Sequence, residues 1–371
     1  MPSFSLSPAE LAYHHASLSL TPPIRPDARG PREFRPMIAE TDILPAVHGS
    51  ARVCFADASE AVVGVKAEVE RTRAQPAIVC EEPRKWKNNN TIDQDPDQDL
   101  DDEDTTSAHK SPADDYISLT INSSRDDDPL PSILTSLLLH PLLASTGRRL
   151  HINTRFHWHL HLDLVLIGPS SSSPPIPAAA IPLLSTAIHL ALRATRLPAL
   201  VSEADDDPLF SDDWAEATWL YPPHSRALGP PVVVLLAVAG RGRGRDGNVL
   251  VDPGWEEIAV AEGLVVVVVI ASPAAASAAS DEDGGVGVRV LGVRTLDPPA
   301  RGTGVGTLEG GTIGIEALGE RDREAAGTGC WRPPRGGLTR GTLAKVMEMV
   351  LEKGGVGEEV LEGLGRVEVG G

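Results

Sequence analysis

The stretch MIAETDILPAVHGSARVCFADASEAVVGVKAE, residues 37–68, reads as three short strands in succession: Met37 to Thr41, Gly49 to Ala56 and Ala61 to Glu68. Strands this close along a chain pair most simply as an antiparallel meander. Upstream, Ser7-Pro8-Ala9-Glu10 has the form of a capping box with proline at the first helical position, which predicts a helix to about Leu18. Pro22, Pro23 and Pro26 then hold the chain extended through Arg25-Pro26-Asp27-Ala28-Arg29-Gly30.

Downstream, Tyr116 to Asn122 alternates as a strand does, and Leu130 to Leu143 reads as an apolar helix interrupted near Pro141. From His151 to His161, polar side chains at every second position alternate with Ile152, Phe156, Trp158, Leu160 and Leu162. That pattern predicts a half-buried strand running on into Leu164-Val165-Leu166-Ile167. A helix from about Pro182 to Thr195 follows, with Leu183, Ala187, Leu190, Ala191 and Ala194 on one face. The valine-rich runs Val232 to Ala239, Asn248 to Val251 and Leu264 to Ser272 predict strands buried on both faces. The chain closes with a helix from about Thr339 to Gly354, whose Leu343, Val346, Met347, Val350 and Leu351 should pack on that sheet. Strands and helices in this order give an α+β fold in two domains, 1–225 and 226–371.

The 371 residues carry 33 basic and 52 acidic side chains, a formal net charge of −19, so bulk positive charge does not hold nucleic acid and any contact is local. The acidity is concentrated. Asp93 to Asp128 contains 13 acidic and two basic residues, and about 71–115 reads as a disordered acidic insertion. Two low-complexity insertions, about 273–285 and 298–329, interrupt the second half. Cys54, Cys80 and Cys330 lack C-x-x-C spacing, which speaks against a disulfide framework or a thiolate zinc site and for an intracellular chain. The longest apolar run, Leu264 to Ala271, is far short of the roughly 20 residues of a membrane span, and no membrane association is expected.

Two clusters invite a chemical reading. His157, His159 and His161 share one strand face with Asp163, the donor type a transition metal uses, but metal sites need convergent ligands, and a partly exposed polar face or subunit contact is the preferred reading. No metal and no cofactor are expected. The segment Gly240 to Gly247 offers three arginines to a phosphate, though it is most simply a surface hairpin turn. Gly302-Thr303-Gly304-Val305-Gly306 is no dinucleotide fingerprint, and neither a G-x-x-x-x-G-K-[ST] phosphate loop nor a G-x-S-x-G elbow occurs.

Taken together, Ile24-Arg25-Pro26-Asp27-Ala28-Arg29-Gly30, Gly49-Ser50-Ala51-Arg52-Val53 and Val63-Gly64-Val65-Lys66-Ala67-Glu68 resemble the opening of RNase PH-type proteins. Ala191-Leu192-Arg193-Ala194-Thr195-Arg196-Leu197-Pro198 resembles that family's T-R-[IL]-P helix end, and Val251-Asp252-Pro253-Gly254-Trp255-Glu256-Glu257 its V-D-P/A-T-x-E-E element. The branch that fits is the ring subunits of the eukaryotic RNA exosome. The resemblance implies an RNase PH-like fold of two β-rich halves flanked by helices, and a six-membered ring around a channel for single-stranded RNA. Implied partners are other RNase PH-like ring subunits, cap subunits and a separate hydrolytic nuclease, in the nucleus and nucleolus and also the cytoplasm.

Active relatives carry two aspartates six positions apart directly after the paired glutamates, and an ungapped reading puts Ile258 and Leu264 there. Neither side chain binds a metal or moves a proton. The resemblance therefore implies a non-catalytic structural and RNA-channel subunit supporting 3′→5′ RNA processing and degradation, including rRNA maturation. Arg125, followed by Asp126-Asp127-Asp128, and Arg155 are the candidate RNA contacts. The alternative is an active phosphorolytic exoribonuclease using Asp252, Glu256, Glu257 or Glu262. A weaker alternative is a metal-binding protein built on His157, His159 and His161.

Overall fold

The computed structural model describes residues 6–72, 116–122, 130–167, 177–202, 206–222, 229–240, 247–272, 287–296 and 338–369. Nearly all of the expected acidic insertion, the arginines of the Gly240 to Gly247 segment, both low-complexity segments, and Arg125, Cys80 and Cys330 lie outside the described residues. Helix α1 (Pro8–Leu18) has its capping box: Ser7 Oγ accepts from the Glu10 amide at 3.3 Å, and Glu10 Oε2 accepts from the Ser7 amide at 2.7 Å. The meander follows as β1 (Met37–Thr41), β2 (Gly49–Phe55) and β3 (Glu60–Arg71), paired antiparallel. Two further strands, β4 (Ile117–Asn122) and β5 (Phe156–Ile167), complete a five-stranded sheet of order β1-β2-β3-β5-β4 in which β4 runs parallel to β5.

Helix α2 (Leu130–Thr146) flanks this sheet, and α3 (Pro177–Arg193) lies against it and against the second sheet as well. After a short pair, β6 (Arg196–Leu197) with β7 (Thr218–Trp219), come β8 (Val232–Ala239), β9 (Asn248–Val251), the short helix α4 (Trp255–Val260), β10 (Gly263–Ser272) and β11 (Gly287–Leu296). This second sheet is antiparallel throughout, in the order β11-β10-β8-β9. Helices α5 (Arg340–Leu351) and α6 (Val356–Gly365) close the chain.

Successive side chains of a strand point to opposite faces, so the complete burial of β8 and near-complete burial of β10 means that both faces of their sheet are covered. Helix α3 is the joint between the sheets: Ile181, Leu183, Leu184, Ile188 and Leu190 are all buried, each stabilising by about 1.5–3 kcal/mol over exposure. It is tied to β8 by Ser185 Oγ, which accepts from the Val233 amide at 2.8 Å. Its far end is fixed by a close backbone approach. A Cβ at Gly49 would lie 2.6 Å from Thr195 Cα and 2.7 Å from the Ala191 carbonyl, so only glycine lets β2 cross there. Among the described residues no helix is long and apolar enough to cross a membrane.

The structure departs from the sequence expectations in several places. Helix α2 is not interrupted at Pro141 but continues to Thr146, and α3 begins at Pro177 with Pro182 inside it. Each proline forfeits one main-chain hydrogen bond, and burial of the neighbouring leucines, isoleucines and alanines outweighs that loss. The strand expected from His151 begins only at Phe156, because Asn153 Oδ1 accepts from the amides of Arg155 and Phe156 at 3.0 and 2.8 Å and turns the chain back on itself. On that strand His157 and His159 are 2% and 5% exposed, not half-open to water. Finally, α5 buries Thr342, Val346, Met349 and Val350 while Leu343 and Leu351 face outward, and α6 follows where no helix was expected.

Candidate functional site

The extended segment after α1 crosses the β9–α4 junction, with the Val251 amide donating to the Pro31 carbonyl at 2.9 Å. This brings three arginines of the first half onto two carboxylates of the second. Arg25 grips Glu257 with both sides of its fork, Nε to Oε1 at 2.7 Å and Nη2 to Oε2 at 2.8 Å. Its remaining donors reach the carbonyls of Val251 at 3.0 Å and Asp252 at 3.1 Å. Arg35 holds Asp252 in the same way, Nε to Oδ2 at 3.0 Å and Nη2 to Oδ1 at 2.7 Å, while its own amide donates to Oδ2 at 2.8 Å. Arg29 adds a contact at 3.5 Å from Nη1 to Asp252 Oδ2. Burial opposes the charge on Arg35, but its bonds to Asp252 and Asp57 outweigh that and raise its pKa.

Local geometry places these carboxylates. Glu257 is the third residue of α4, and its Oε2 also accepts from the Gly254 amide at 2.8 Å, closing the helix start. Asp252 sits at φ 45°, a left-handed conformation that is strained for a residue with a Cβ. Its amide bond to the Leu235 carbonyl at 2.9 Å and the Arg35 fork hold it there. A third carboxylate, Glu262, is buried with Oε1 3.1 Å from His15 Nε2 on α1. Of the four acids the alternative nuclease reading needs, Asp252, Glu257 and Glu262 are thus engaged between elements, and Glu256 is half-buried beside them. Ile258 and Leu264 are 0% exposed, packed into the common apolar core. The cluster can lock the two halves of the chain together; it presents no open pair of carboxylates to a metal or a phosphate.

Of the two candidate RNA contacts, only Arg155 is among the described residues. Arg125 lies outside the described residues. Arg155 stands just before β5 with its side chain 55% exposed, Nη2 3.5 Å from Asp207 Oδ1 and its guanidinium 5.7 Å from the Phe156 ring centre. Sequence reasoning missed its companion, Arg71, whose guanidinium is 5.8 Å from the same ring. Only the β3–β5 register, in which Arg71 faces Phe156, makes them neighbours. The three-histidine reading also changes: His161 is turned to Ser118 Oγ at 2.8 Å and to Glu68 Oε2 at 3.6 Å, while Glu70 comes close to His159 and His157.

No protein-family model matches the chain. Among solved structures, an archaeal exosome core shares 16% identity over 84% of this chain at a TM-score of 0.40, and rice Rrp46 shares 14% over 82% at 0.39. Among curated proteins, the exosome complex component rrp42 of Schizosaccharomyces pombe is 32% identical over 261 residues, 69% of this chain and 76% of its own length. The exosome complex component RRP42 of Saccharomyces cerevisiae is 30% identical over 271 residues, 71% of this chain and 81% of its own length. Identity of 30–32% over about 70% of this chain and most of each relative's length shows that the chain belongs to the RRP42 family of exosome complex components.

Proposed function

We propose that this chain is a structural, non-catalytic subunit of the RNA exosome, supporting 3′→5′ RNA processing and degradation, rRNA maturation included, by a hydrolytic nuclease carried on another subunit. The observation that carries this reading is the buried clamp: Asp252 and Glu257 are held by Arg25, Arg29 and Arg35, and Ile258 and Leu264 are core residues. Phosphorolysis needs groups that bind phosphate or metal or shuttle a proton, and carboxylates saturated by buried guanidinium forks do none of these. The relatives' naming as exosome components supports RNase PH-like ring neighbours and cap subunits as partners.

RNA contact in this proposal is local, as the net charge of −19 demands. Phe156 between Arg71 and Arg155 offers a ring for a base and two cations for flanking phosphates. Arg125 is the other proposed contact. The protein works in the nucleus and nucleolus, and also in the cytoplasm. The test is to tag the chain in its own cells and identify the complex recovered under native conditions. Recovery with other RNase PH-like proteins and a hydrolytic nuclease is the expected result; a lone chain or a homo-oligomer would overturn the assignment.

A further inference from the structure

On the outer end of the β3–β5 ladder, Glu70 pairs directly with His157, and His159 is the next residue on the same face of β5. Directly opposite residues of an antiparallel pair hold their Cβ atoms about 4.5–5.5 Å apart and diagonal neighbours about 7–8 Å, so three such side chains converge on one point above the sheet. Here one donor atom from each of Glu70, His157 and His159 lies within 4.8 Å of the others. From these residues we infer a binding site for a zinc-class divalent cation, with His157, His159 and Glu70 as its protein ligands.

The donor set is chemically apt. Two imidazoles and one carboxylate suit zinc and its neighbours in the first transition row, and leave a coordination position for water or a further ligand. Zinc bonds of about 2.0–2.1 Å set tetrahedral ligand atoms about 3.4 Å apart. The separation of His159 Nδ1 from Glu70 Oε2, 3.6 Å, is already near that edge and longer than a hydrogen bond. What closure remains falls to Glu70, whose side chain is exposed, while the two histidines are buried. His157 has an outer partner of the kind that orients a ligating imidazole. Thr72 Oγ1 is 3.0 Å from His157 Nδ1, and the Tyr116 ring lies 4.3 Å from that of His157. His161, the third histidine of the strand, is directed instead to Ser118 and Glu68 and is outside the ligand set.

A cation there would pin the end of β3 to the start of β5, beneath Arg71 and Phe156 on the opposite face. The inference does not depend on the exosome reading, and its test leaves that reading untouched. The full-length chain, freed of any affinity tag and stripped with a chelator, is to be titrated with zinc against a chromophoric competitor, with metal content measured after gel filtration. One zinc per chain is expected, with a raised thermal midpoint. Glu70→Gln, at an exposed position that leaves the fold intact, should weaken zinc binding by roughly tenfold or more. His161→Ala should leave it unchanged. Substoichiometric zinc, or full affinity in Glu70→Gln, would overturn the site; loss of binding in His161→Ala would overturn this ligand set.

Discussion

Asp252 shows most plainly how one residue can look catalytic in a sequence and be structural in the molecule. Its place beside two glutamates invites a role in phosphate chemistry, yet both oxygens are occupied by buried guanidinium donors. Removing one partner of a buried pair strands the other, so Asp252→Asn should cost about 3–5 kcal/mol, read as a lower urea midpoint at unchanged slope. A second residue sets a pH dependence. His189 on α3 is fully buried, and burial, aided by the charge of Arg193, pushes its pKa down to about 3. The unfolded chain binds that proton near pH 6.5 while the folded chain does not, so stability is retained above that pH and falls as the pH drops toward 3. The slope should be on the order of 1 kcal/mol per pH unit, and His189→Phe should flatten it, as denaturation midpoints across that range would show. The clamp was not legible from spacing: Arg35 and Asp252 are 217 positions apart, and Arg25 and Glu257 are 232.

At the scale of elements, the meander and the valine strands were legible because their signals are local: alternation and unbroken apolar runs bounded by turn formers. The misreadings came where tertiary packing overrode a local rule. Pro141 read as an interruption and Pro182 as a helix start, but each sits inside a helix whose buried flank holds it continuous. Pro141→Ala restores a main-chain donor without disturbing the buried leucines, so it should raise stability by about 1–3 kcal/mol, measurable by thermal or urea unfolding. The regular alternation from His151 concealed a reversal made by a single side-chain oxygen, that of Asn153. The glycines around Val356 concealed α6, whose Gly357 is required by contact with the Val350 carbonyl, where a Cβ would come within 2.6 Å. The histidine strand was read alone; its neighbour Glu70 belongs to another strand and appears only with the register.

For the whole molecule, the segments that carried the family resemblance turn out to be those that hold its parts together. Arg25, Arg29 and Asp252 form the clamp, and Gly49 with Thr195 forms the joint at the end of α3. This is why the fold was readable from them while the surroundings of the candidate Arg155 were not: Arg71, Phe156 and Arg155 meet only through pairing across the sheet. Replacing Arg155 with Ala in the assembled complex should weaken single-stranded RNA binding without sequence preference and reduce the salt dependence by about one phosphate contact. Binding measured at several salt concentrations would show both. The central claim, that the acidic cluster holds the fold and does not cut RNA, is tested most directly by incubating the purified chain with single-stranded RNA and inorganic phosphate and assaying nucleoside diphosphate release. No release above the protein-free control is predicted. Release that requires phosphate and disappears in Glu256→Gln, an acid of the cluster outside the arginine forks, would contradict it.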